Sequence, residues 1–425
     1  MKFKVKASGF IAGIDPAVEV STKNAIKDFD SAGRVGFRAT SSGLVIYAWN
    51  GRISIQEILS ENNTDNLDYE FIKDGDVVVS SKDIKDTLSS FRSDDLLLVE
   101  IKNAKSGGSE VCICRDQDNS EYQTLPIINV PINMPPTPKN FSKTLTIRRD
   151  IFLRGINKIF FAVGFEQERE RYLYWVLRSF KDHVRFVAGS GARFAAMDFE
   201  GSNIVSEEGL SFLMPKEQTA VFSRVLSNLD DESLTVAESK GGDQIFMSTS
   251  SCEMVLVGLR PGIKWIDENI LMDVDYPVRY ITAVDDWSYA GRGTLATYDE
   301  ILKNQRRPHR AHVIANSSSN TITIETSEKM RSCRKVKIID SDIGKEKDME
   351  FNVSSVFLYE ISRNADDQSG KIQIEFTPSE NGKYRPVLVR FYASDKVEDR
   401  KNIVSVNKSL GTKERFTLFF CPVKG

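Results

Sequence analysis

Histidine is scarce: the 425-residue chain contains only His183, His309 and His312. Many general bases and zinc ligands are histidines, so this scarcity disfavours hydrolases and metalloenzymes. His309 and His312 have the spacing of one helical turn, but no nearby cysteine or carboxylate completes a metal site. No nucleophile, base and acid form a recognisable set either. We therefore expect a non-catalytic protein without a metal or another cofactor.

Long apolar runs and paired cysteines are also missing. The longest strongly apolar stretch, residues 159–165, is far shorter than the roughly 20 residues that span a bilayer. We see no signal peptide at the start, so we expect a cytoplasmic protein that does not contact membranes. The cysteines are odd in number and scattered, which argues against a disulfide framework. They are Cys112, Cys114, Cys252, Cys333 and Cys421.

The chain lacks an excess of either charge. It has 57 lysines and arginines against 60 aspartates and glutamates, a net charge of -3. This balance disfavours a uniformly basic nucleic-acid binder, but it allows a protein that is basic on one side and acidic elsewhere. Apolar residues make up 40% and charged residues 28%, as in folded globular proteins. At roughly 100–200 residues per domain, the length indicates two to four domains.

Strand patterns dominate the chain. Short segments rich in β-branched and aromatic residues lie between turn residues, which is typical of β-strands. Two pairs of them predict hairpins, at residues 37–47 and 312–325. The predicted strands are residues 35–40, 44–49, 96–101, 144–147, 184–188, 254–257 and 321–325. Amphipathic helices are predicted at residues 148–163, 216–229 and 353–365.

One pattern occurs three times: a strand, a short helix, an acidic turn and a second strand. The copies cover residues 77–101, 211–237 and 350–376, roughly 135 to 140 residues apart, which is the size of a domain. Residues 129–139 are rich in proline and read as a linker, and the pattern breaks again at residues 285–293. We predict three domains, at residues 1–138, 139–287 and 288–425. The alternative is one large β-rich structural or interaction protein, such as a virion component, without a role on DNA.

Several stretches resemble a known family, the bacterial sliding clamp, which is the processivity subunit of the replicative DNA polymerase. Each stretch alone is short, but together they occur in the family's order. They are Met1-Lys-Phe-Lys-Val, Gln167-Glu-Arg-Glu-Arg-Tyr-Leu, Val187-Ala-Gly-Ser-Gly-Ala-Arg-Phe-Ala, Phe351-Asn-Val-Ser, Arg385-Pro-Val-Leu-Val-Arg and the end, Phe419-Phe-Cys-Pro-Val-Lys-Gly.

The chain also departs from this family. Residues 189–192 are Gly-Ser-Gly-Ala where the family has Thr-Asp-Gly-His, and Gly425 replaces the family's final leucine. An insertion lies within residues 254–293. These departures indicate a divergent member and leave a phage origin open.

The resemblance implies an α+β fold of three repeated clamp domains, with antiparallel sheets outside and short helices lining a ring. It implies a homodimer that encircles double-stranded DNA of any sequence and tethers the replicative polymerase, after a clamp loader has placed it there. Basic side chains on and near the helices are the implied lining of the bore. They are Lys23, Lys27, Lys82, Lys85, Arg148, Arg149, Arg154, Lys158, Lys216, Arg224, Lys303, Arg306 and Arg307.

Two further sites follow from the same resemblance. The first is an apolar pocket for short peptides of the polymerase and the loader. Its implied residues are Leu173, Gly189, Gly191, Ala192, Arg193, Phe194, Pro277, Ile281, Phe419, Cys421 and Pro422. The second is the dimer interface, where Tyr122 on an edge strand would face a helix around Ile301 and Leu302.

Overall fold

The structure is a computed structural model of the chain. It describes all residues except 28, 62–66, 105–106, 165–168, 202–203, 207–208, 260–262, 266, 273–275, 303–309, 317, 327–330, 343–348, 365–369, 377–386, 393–404, 408 and 421–425. Within strands and helices it leaves undescribed the side chains of residues 118–119, 204–206, 269–270, 295–302, 362, 388, 390–392 and 405–406.

The described elements fall into three successive groups. The first is β1 (Lys2–Lys6), α1 (Ala7–Thr22), β2 (Arg34–Thr40), β3 (Gly43–Trp49), β4 (Ile53–Leu59), β5 (Glu70–Lys73), β6 (Gly75–Ser80), α2 (Ser81–Leu88), β7 (Leu96–Asn103), β8 (Ser109–Arg115) and β9 (Asp118–Pro126). The second is β10 (Phe141–Arg148), α3 (Arg149–Ile159), β11 (Tyr174–Ser179), β12 (Val184–Gly189), β13 (Arg193–Glu200), β14 (Ile204–Ser206), β15 (Ser211–Pro215), α4 (Lys216–Ser227), β16 (Ser233–Ser239), β17 (Gln244–Ser248) and β18 (Cys252–Val257).

A short helix, α5 (Asn269–Met272), precedes the third group. That group is β19 (Val278–Ala283), α6 (Val284–Leu302), β20 (Arg310–Asn316), β21 (Thr321–Thr326), β22 (Ser332–Asp342), β23 (Met349–Ser354), α7 (Ser355–Arg363), β24 (Lys371–Phe376), β25 (Val387–Tyr392), β26 (Ser405–Asn407) and β27 (Thr412–Phe420). None of the helices in the described part of the chain is both long and apolar enough to cross a bilayer.

Strand pairing shows that the three groups are repeats of one topology. The first strand of each group lies between two others of its own group: β1 between β5 and β7, β10 between β14 and β16, and β19 between β22 and β24. In the third repeat the long strand β22 takes the place of two strands, because its first half pairs with β21 and its second half with β19. The predicted fold, α+β with three clamp-like repeats of antiparallel sheet, is confirmed.

The chain divides into two compact units. Unit 1 comprises Met1–Leu153 and Asn203–Ile263, and unit 2 comprises Arg154–Ser202 and Lys264–Gly425. Unit 1 holds a five-stranded sheet, β5-β1-β7-β8-β9, and a nine-stranded sheet, β14-β10-β16-β17-β18-β4-β3-β2-β6. The strands of unit 2 follow the order β11-β12-β13-β27-β25-β24-β19-β22-β21-β20-β23, and β26 pairs with β27.

Neighbouring repeats are joined by the same strand pairing. In unit 1, β18, the last strand of the second repeat, pairs with β4, the fourth strand of the first repeat. In unit 2, β27, the last strand of the third repeat, pairs with β13, the fourth strand of the second. Each joint is therefore a continuous antiparallel sheet rather than a flexible linker.

Aromatic side chains form much of the buried core of each unit. In unit 1, the rings of Phe3, Phe10 and Phe37 meet edge to face, with centroids 5.8 to 6.4 Å apart. In unit 2, a Cβ on Gly155 of α3 would lie 2.6 Å from the ring of Phe186. Glycine at this position thus allows helix α3 to lie directly on strand β12.

Most predicted elements are confirmed. Helices α3, α4 and α7 and both hairpins, β2–β3 and β20–β21, lie where the patterns place them. One interpretation was wrong, because residues 285–293, read as a break in the pattern, lie inside helix α6. Residues 7–22, for which we made no prediction, form α1. The boundaries at residues 138 and 287 stay predictions; residue 287 is within α6.

Candidate functional site

Basic side chains stand on or next to three helices of unit 1, one of which contacts the other two. Helix α1 packs against both α2 and α4, and its buried face carries its apolar side chains. Lys23 ends α1, Lys82 lies on α2, and Lys27 follows α1 in the chain; all three are exposed. Among the described residues none of these three lysines has an ion-pair partner, so their charges are available to an anion.

Two further basic residues of these helices pair with acids on α1. Lys85 Nζ lies 2.8 Å from Asp15 Oδ1, and Arg224 Nη1 lies 3.0 Å from Glu19 Oε1. Both pairs are partly exposed, so each contributes little to stability. The two carboxylates reduce the positive charge of the surface without removing it.

Three other predicted bore residues of unit 1 are less accessible. Arg148 Nη2 lies 2.8 Å from Asp150 Oδ2, and Arg149 Nη2 lies 3.6 Å from Asp150 Oδ1. Lys216, the first residue of α4, is half-buried. One carboxylate at the start of helix α3 therefore serves two arginines.

In unit 2, the charges of Arg154 and Lys158 are taken up inside the protein. Arg154 donates from Nε and Nη2 to the buried carboxylate of Glu414 on β27, at 2.6 to 3.0 Å. Lys158 is buried, donates from Nζ to the carbonyl oxygen of Asn364 at 2.5 Å, and lies over the ring of Phe416. Both side chains thus stabilise the packing of α3. Lys303, Arg306 and Arg307 lie outside the described residues.

Several predicted pocket residues form one apolar cluster in unit 2. Phe194 on β13 and Phe419 on β27 are partners in the strand register, and their rings meet edge to face with centroids 5.6 Å apart. Val187, Ala196 and Tyr276 complete the buried cluster. The structure therefore brings together two predicted residues that are more than two hundred positions apart in the chain.

The other predicted pocket residues lie around this cluster or beyond the described chain. A Cβ on Gly189 would lie 2.9 Å from the Phe194 ring, so glycine there permits the ring to pack on the strand. Gly191 and Ala192 are exposed in the turn between β12 and β13, and Leu173 is half-buried before β11. Ile281 is buried on β19 and Pro277 is exposed just before it. Cys421 and Pro422 lie outside the described residues.

Arg193 is tied to the third repeat rather than open to solvent. Its Nη1 donates to Glu360 Oε1 on helix α7 at 2.7 Å, and its guanidinium group lies over the rings of Phe161 and Phe357. Burial raises the pKa of Glu360 to about 7, although the positive charge of Arg193 lowers it.

The sequence reasoning missed a segment that packs against the apolar cluster. Trp265, Leu271 and Met272, from the stretch before β19, are partly buried against it. The hydroxyl of Tyr276 donates to the carbonyl oxygen of Leu271 at 3.1 Å, which ties the segment to the cluster. The only signal in the sequence was the insertion within residues 254–293, which carries no regular pattern.

The edge of the five-stranded sheet holds the predicted dimer residue Tyr122. Its side chain, on the end strand β9, is 55% exposed. Beside it is a cavity of about 380 Å³ lined by Ser90, Phe91, Arg115, Ser120, Glu121, Tyr122 and Gln123. Ile301 and Leu302 are the last two residues of helix α6.

No protein-family profile matches the chain, and no curated protein matches it in sequence. Solved structures match it over its full length. The DNA polymerase sliding clamp of Bacillus subtilis has a TM-score of 0.77 and 14% identity, with 100% of this chain and 99% of that chain covered. The beta subunit of the Streptococcus pyogenes DNA polymerase has a TM-score of 0.75 and 14% identity, with both chains covered completely.

A third solved structure, the DNA polymerase III beta subunit of Thermotoga maritima, has a TM-score of 0.75 and 14% identity, with 100% of this chain and 99% of that chain covered. Similarity at this level of identity establishes the fold. Because 99–100% of both chains is covered in each match, all three repeats are included.

Proposed function

We propose that this chain is a sliding clamp: two copies close a ring around double-stranded DNA and tether the replicative polymerase during processive synthesis, without catalysis by the clamp. The observation that carries the proposal is the full-length match to sliding-clamp structures. The two joints between neighbouring repeats support it, because they use the same strand pairing. A closed ring needs a joint of this kind that can also link one copy to the next.

The joints also suggest how two copies meet. The last strand of the second repeat, β18, pairs with the fourth strand of the first, and β27 of the third repeat pairs with the fourth strand of the second. By the same rule, β9 of the first repeat would pair with β22, the fourth strand of the third repeat, in a second copy. Strand β9 ends its sheet, and the first half of β22 pairs only with β21 among the described strands. Such head-to-tail joints close a homodimer.

The DNA contact would be made mainly through Lys23, Lys27 and Lys82, whose charges are unpaired among the described residues. Lys85 and Arg224 must give up or share an aspartate or glutamate of α1 before they bind a phosphate. This competition weakens each contact. Weak contacts to phosphate, without contacts to bases, suit a protein that moves along DNA of any sequence.

Partner proteins would bind at the cluster around Phe194 and Phe419. Polymerase and clamp loader are large proteins, and a shared apolar site can hold either through a short peptide with a few buried anchors. Arg193, beside the cluster, is held by Glu360 and stays a prediction as a contact of the peptide.

The proposal can be tested without knowing the loader. The protein is diluted until its two copies separate and is mixed with nicked circular plasmid, so that dimers re-form around the DNA without a loader. Its subunits are then chemically cross-linked, and the mixture is filtered in high salt, which removes proteins held by charge alone. We expect the cross-linked protein to elute with the circles and to be released when the plasmid is cut once.

Linear plasmid of the same length is the control. Equal retention on circular and linear DNA would contradict topological binding. Absence of the protein from both would favour the alternative, a β-rich structural or interaction protein without a role on DNA.

A further inference from the structure

We propose that residues 264–265 and 267–272 form a cover over the partner-peptide site and that partner peptides bind by displacing it. This inference rests on the proposed function, because it assigns a regulation to the site proposed there. The cover presents one large aromatic and two aliphatic side chains to the apolar cluster, those of Trp265, Leu271 and Met272. A partner that replaces it would be a short peptide with the same chemistry, an aromatic residue near two aliphatic ones.

The two rings of the cluster are buried while the cover is in place. Phe194 is 4% exposed and Phe419 is 1% exposed, so the two rings that would form the floor of the site are sealed from solvent. A peptide gains hydrophobic binding energy at these rings only if the rings are otherwise exposed to water. The cover must therefore leave before a partner can use these rings.

The attachment of the cover is weak for its degree of burial. Glu268 is fully buried, and its Oε2 lies 2.9 Å from Nη1 of Arg178 on strand β11. Neither carboxylate oxygen makes a hydrogen bond of good geometry to the described residues, and burial raises the pKa of this glutamate. A buried ion pair without such hydrogen bonds does not recover the cost of removing its charges from water.

Trp265 and the short helix α5 are the parts of the cover that lie next to the cluster. The indole Nε1 of Trp265 is buried without a hydrogen-bond partner among the described residues. The backbone N–H groups of Leu271 and Met272 donate to the carbonyl oxygen of Glu268, which closes the short helix α5 on itself. Among the described residues the cover therefore meets the cluster through side chains and the Tyr276 hydrogen bond, without strand pairing. A segment held in this way can be exchanged for a peptide that satisfies its polar groups better.

The test uses the full chain and a labelled peptide of its own residues 263–272, Ile-Lys-Trp-Ile-Asp-Glu-Asn-Ile-Leu-Met. In the wild type, the attached cover outcompetes the free peptide because its effective concentration is high. We expect the double variant Trp265→Ala/Leu271→Ala to bind the peptide about tenfold more tightly than the wild type does. This factor corresponds to a wild-type cover that is closed about nine-tenths of the time and a variant cover that is always open. Fluorescence anisotropy measures the affinity.

Two variants control this experiment. Lys264→Ala changes an exposed side chain of the same segment and should leave peptide binding as weak as in the wild type. Phe194→Ala, added to the double variant, should abolish the gained binding if the peptide uses the cluster. Hydrogen exchange in an isotope-labelled wild type, whose fragments differ in mass from the added peptide, should rise at the cover when excess peptide is present.

A double variant that melts like the wild type and binds the peptide no better, or not at all, would overturn the proposal. The cross-linking test on circular DNA is independent of this result. If the protein is retained on circles but the variant gains no binding, the clamp function stands and the cover is refuted. If retention fails while the variant gains binding, the cover stands and the clamp function fails.

Discussion

Arg193 and Glu360 form a largely buried ion pair that joins strand β13 of the second repeat to helix α7 of the third, with Nη1 of the arginine 2.7 Å from Oε1 of the glutamate. The guanidinium group is also held between the rings of Phe161 and Phe357. Because burial outweighs the attraction of the arginine, the pKa of Glu360 rises to about 7. The joint between these repeats therefore carries a group that titrates near neutral pH.

This titration should make the stability of the protein depend on pH. The folded-state pKa of Glu360, about 7, lies above its ordinary value of 4.5, so the folded state binds the proton more tightly than the unfolded state. The free energy of unfolding should fall as the pH rises from about 4.5 to about 7 and change little from this group outside that window. Glu360→Gln should lose less stability over the same range in urea denaturation. Glu200→Gln, which alters an exposed pair with Lys413, should behave like the wild type.

A second buried glutamate lies at the other joint, and its effect should extend to higher pH. Glu57 on β4 faces Cys252 on β18 in the strand register, and its Oε2 has no hydrogen-bond partner among the described residues. Burial, and then the negative charge of Asp231, raise the pKa of Glu57 to about 8. Stability should fall as this group ionises between about pH 4.5 and 8, and Glu57→Gln should remove that loss. Thermal melting across this range checks it, with the exposed neighbour Glu253→Gln as the control; equal slopes for all three proteins would contradict the prediction.

The pair between Arg154 and Glu414 should matter for folding more than for DNA. Glu414 is buried and also accepts hydrogen bonds from Asn407 at 2.9 Å and Thr412 at 3.4 Å. Arg154→Ala would leave its carboxylate buried without its cation, at a cost of about 3–5 kcal/mol in the free energy of unfolding. Urea denaturation measures this loss, and Arg154→Met/Glu414→Met should restore much of it. If Arg154→Ala has normal stability but binds DNA more weakly, Arg154 is instead a residue of the bore.

The repeats could be predicted because each carries its pattern locally. Alternating apolar residues, an amphipathic turn of helix and a pair of aspartates lie within a few tens of residues, and both hairpins are closed by short polar turns. The strand pairs that join the repeats are different. Partners such as Phe194 and Phe419 are far apart in the chain, so the pattern of one strand does not identify the other.

Helix α1 shows why local pattern was insufficient. Its sequence contains Gly9, Gly13 and Pro16, which are poor residues for a helix interior. The helix forms because most of its residues are buried in unit 1, and a Cβ on Gly13 would lie 2.2 Å from the side chain of Leu59. The close contact with Leu59 thus requires glycine at position 13, and the same glycine makes the helix hard to predict from the sequence. The cover was missed for a similar reason, since it is identified only by the residues that it contacts.

Exposed lysines on the helices of unit 1 should set the affinity for DNA. Lys23→Ala and Lys82→Ala should each weaken binding to duplex DNA of any sequence and reduce the slope of log affinity against log salt by about 0.9 for each phosphate that the protein no longer neutralises. Lys102→Ala on β7, whose side chain pairs with Glu100, is the matched control. Fluorescence anisotropy with unrelated duplexes at several salt concentrations checks this. An unchanged slope in both variants would remove these two lysines from the DNA surface.

Edge strand β9 should carry the contact between two copies. An exposed aromatic side chain at the end of a sheet favours association, and Tyr122 stands beside a cavity that a second copy can fill. Tyr122→Asp would place a charge in that contact and should weaken the dimer at least about tenfold, or about 1.4 kcal/mol. Sedimentation velocity over a dilution series measures the change. Ile72→Asp lies on β5, at the opposite edge of the same sheet, and is the control for a new charge on an edge strand. If both variants dimerise as the wild type does, β9 is not the interface. If Ile72→Asp alone dissociates the dimer, the two copies meet at the β5 edge, and the order of repeats around the ring must be revised.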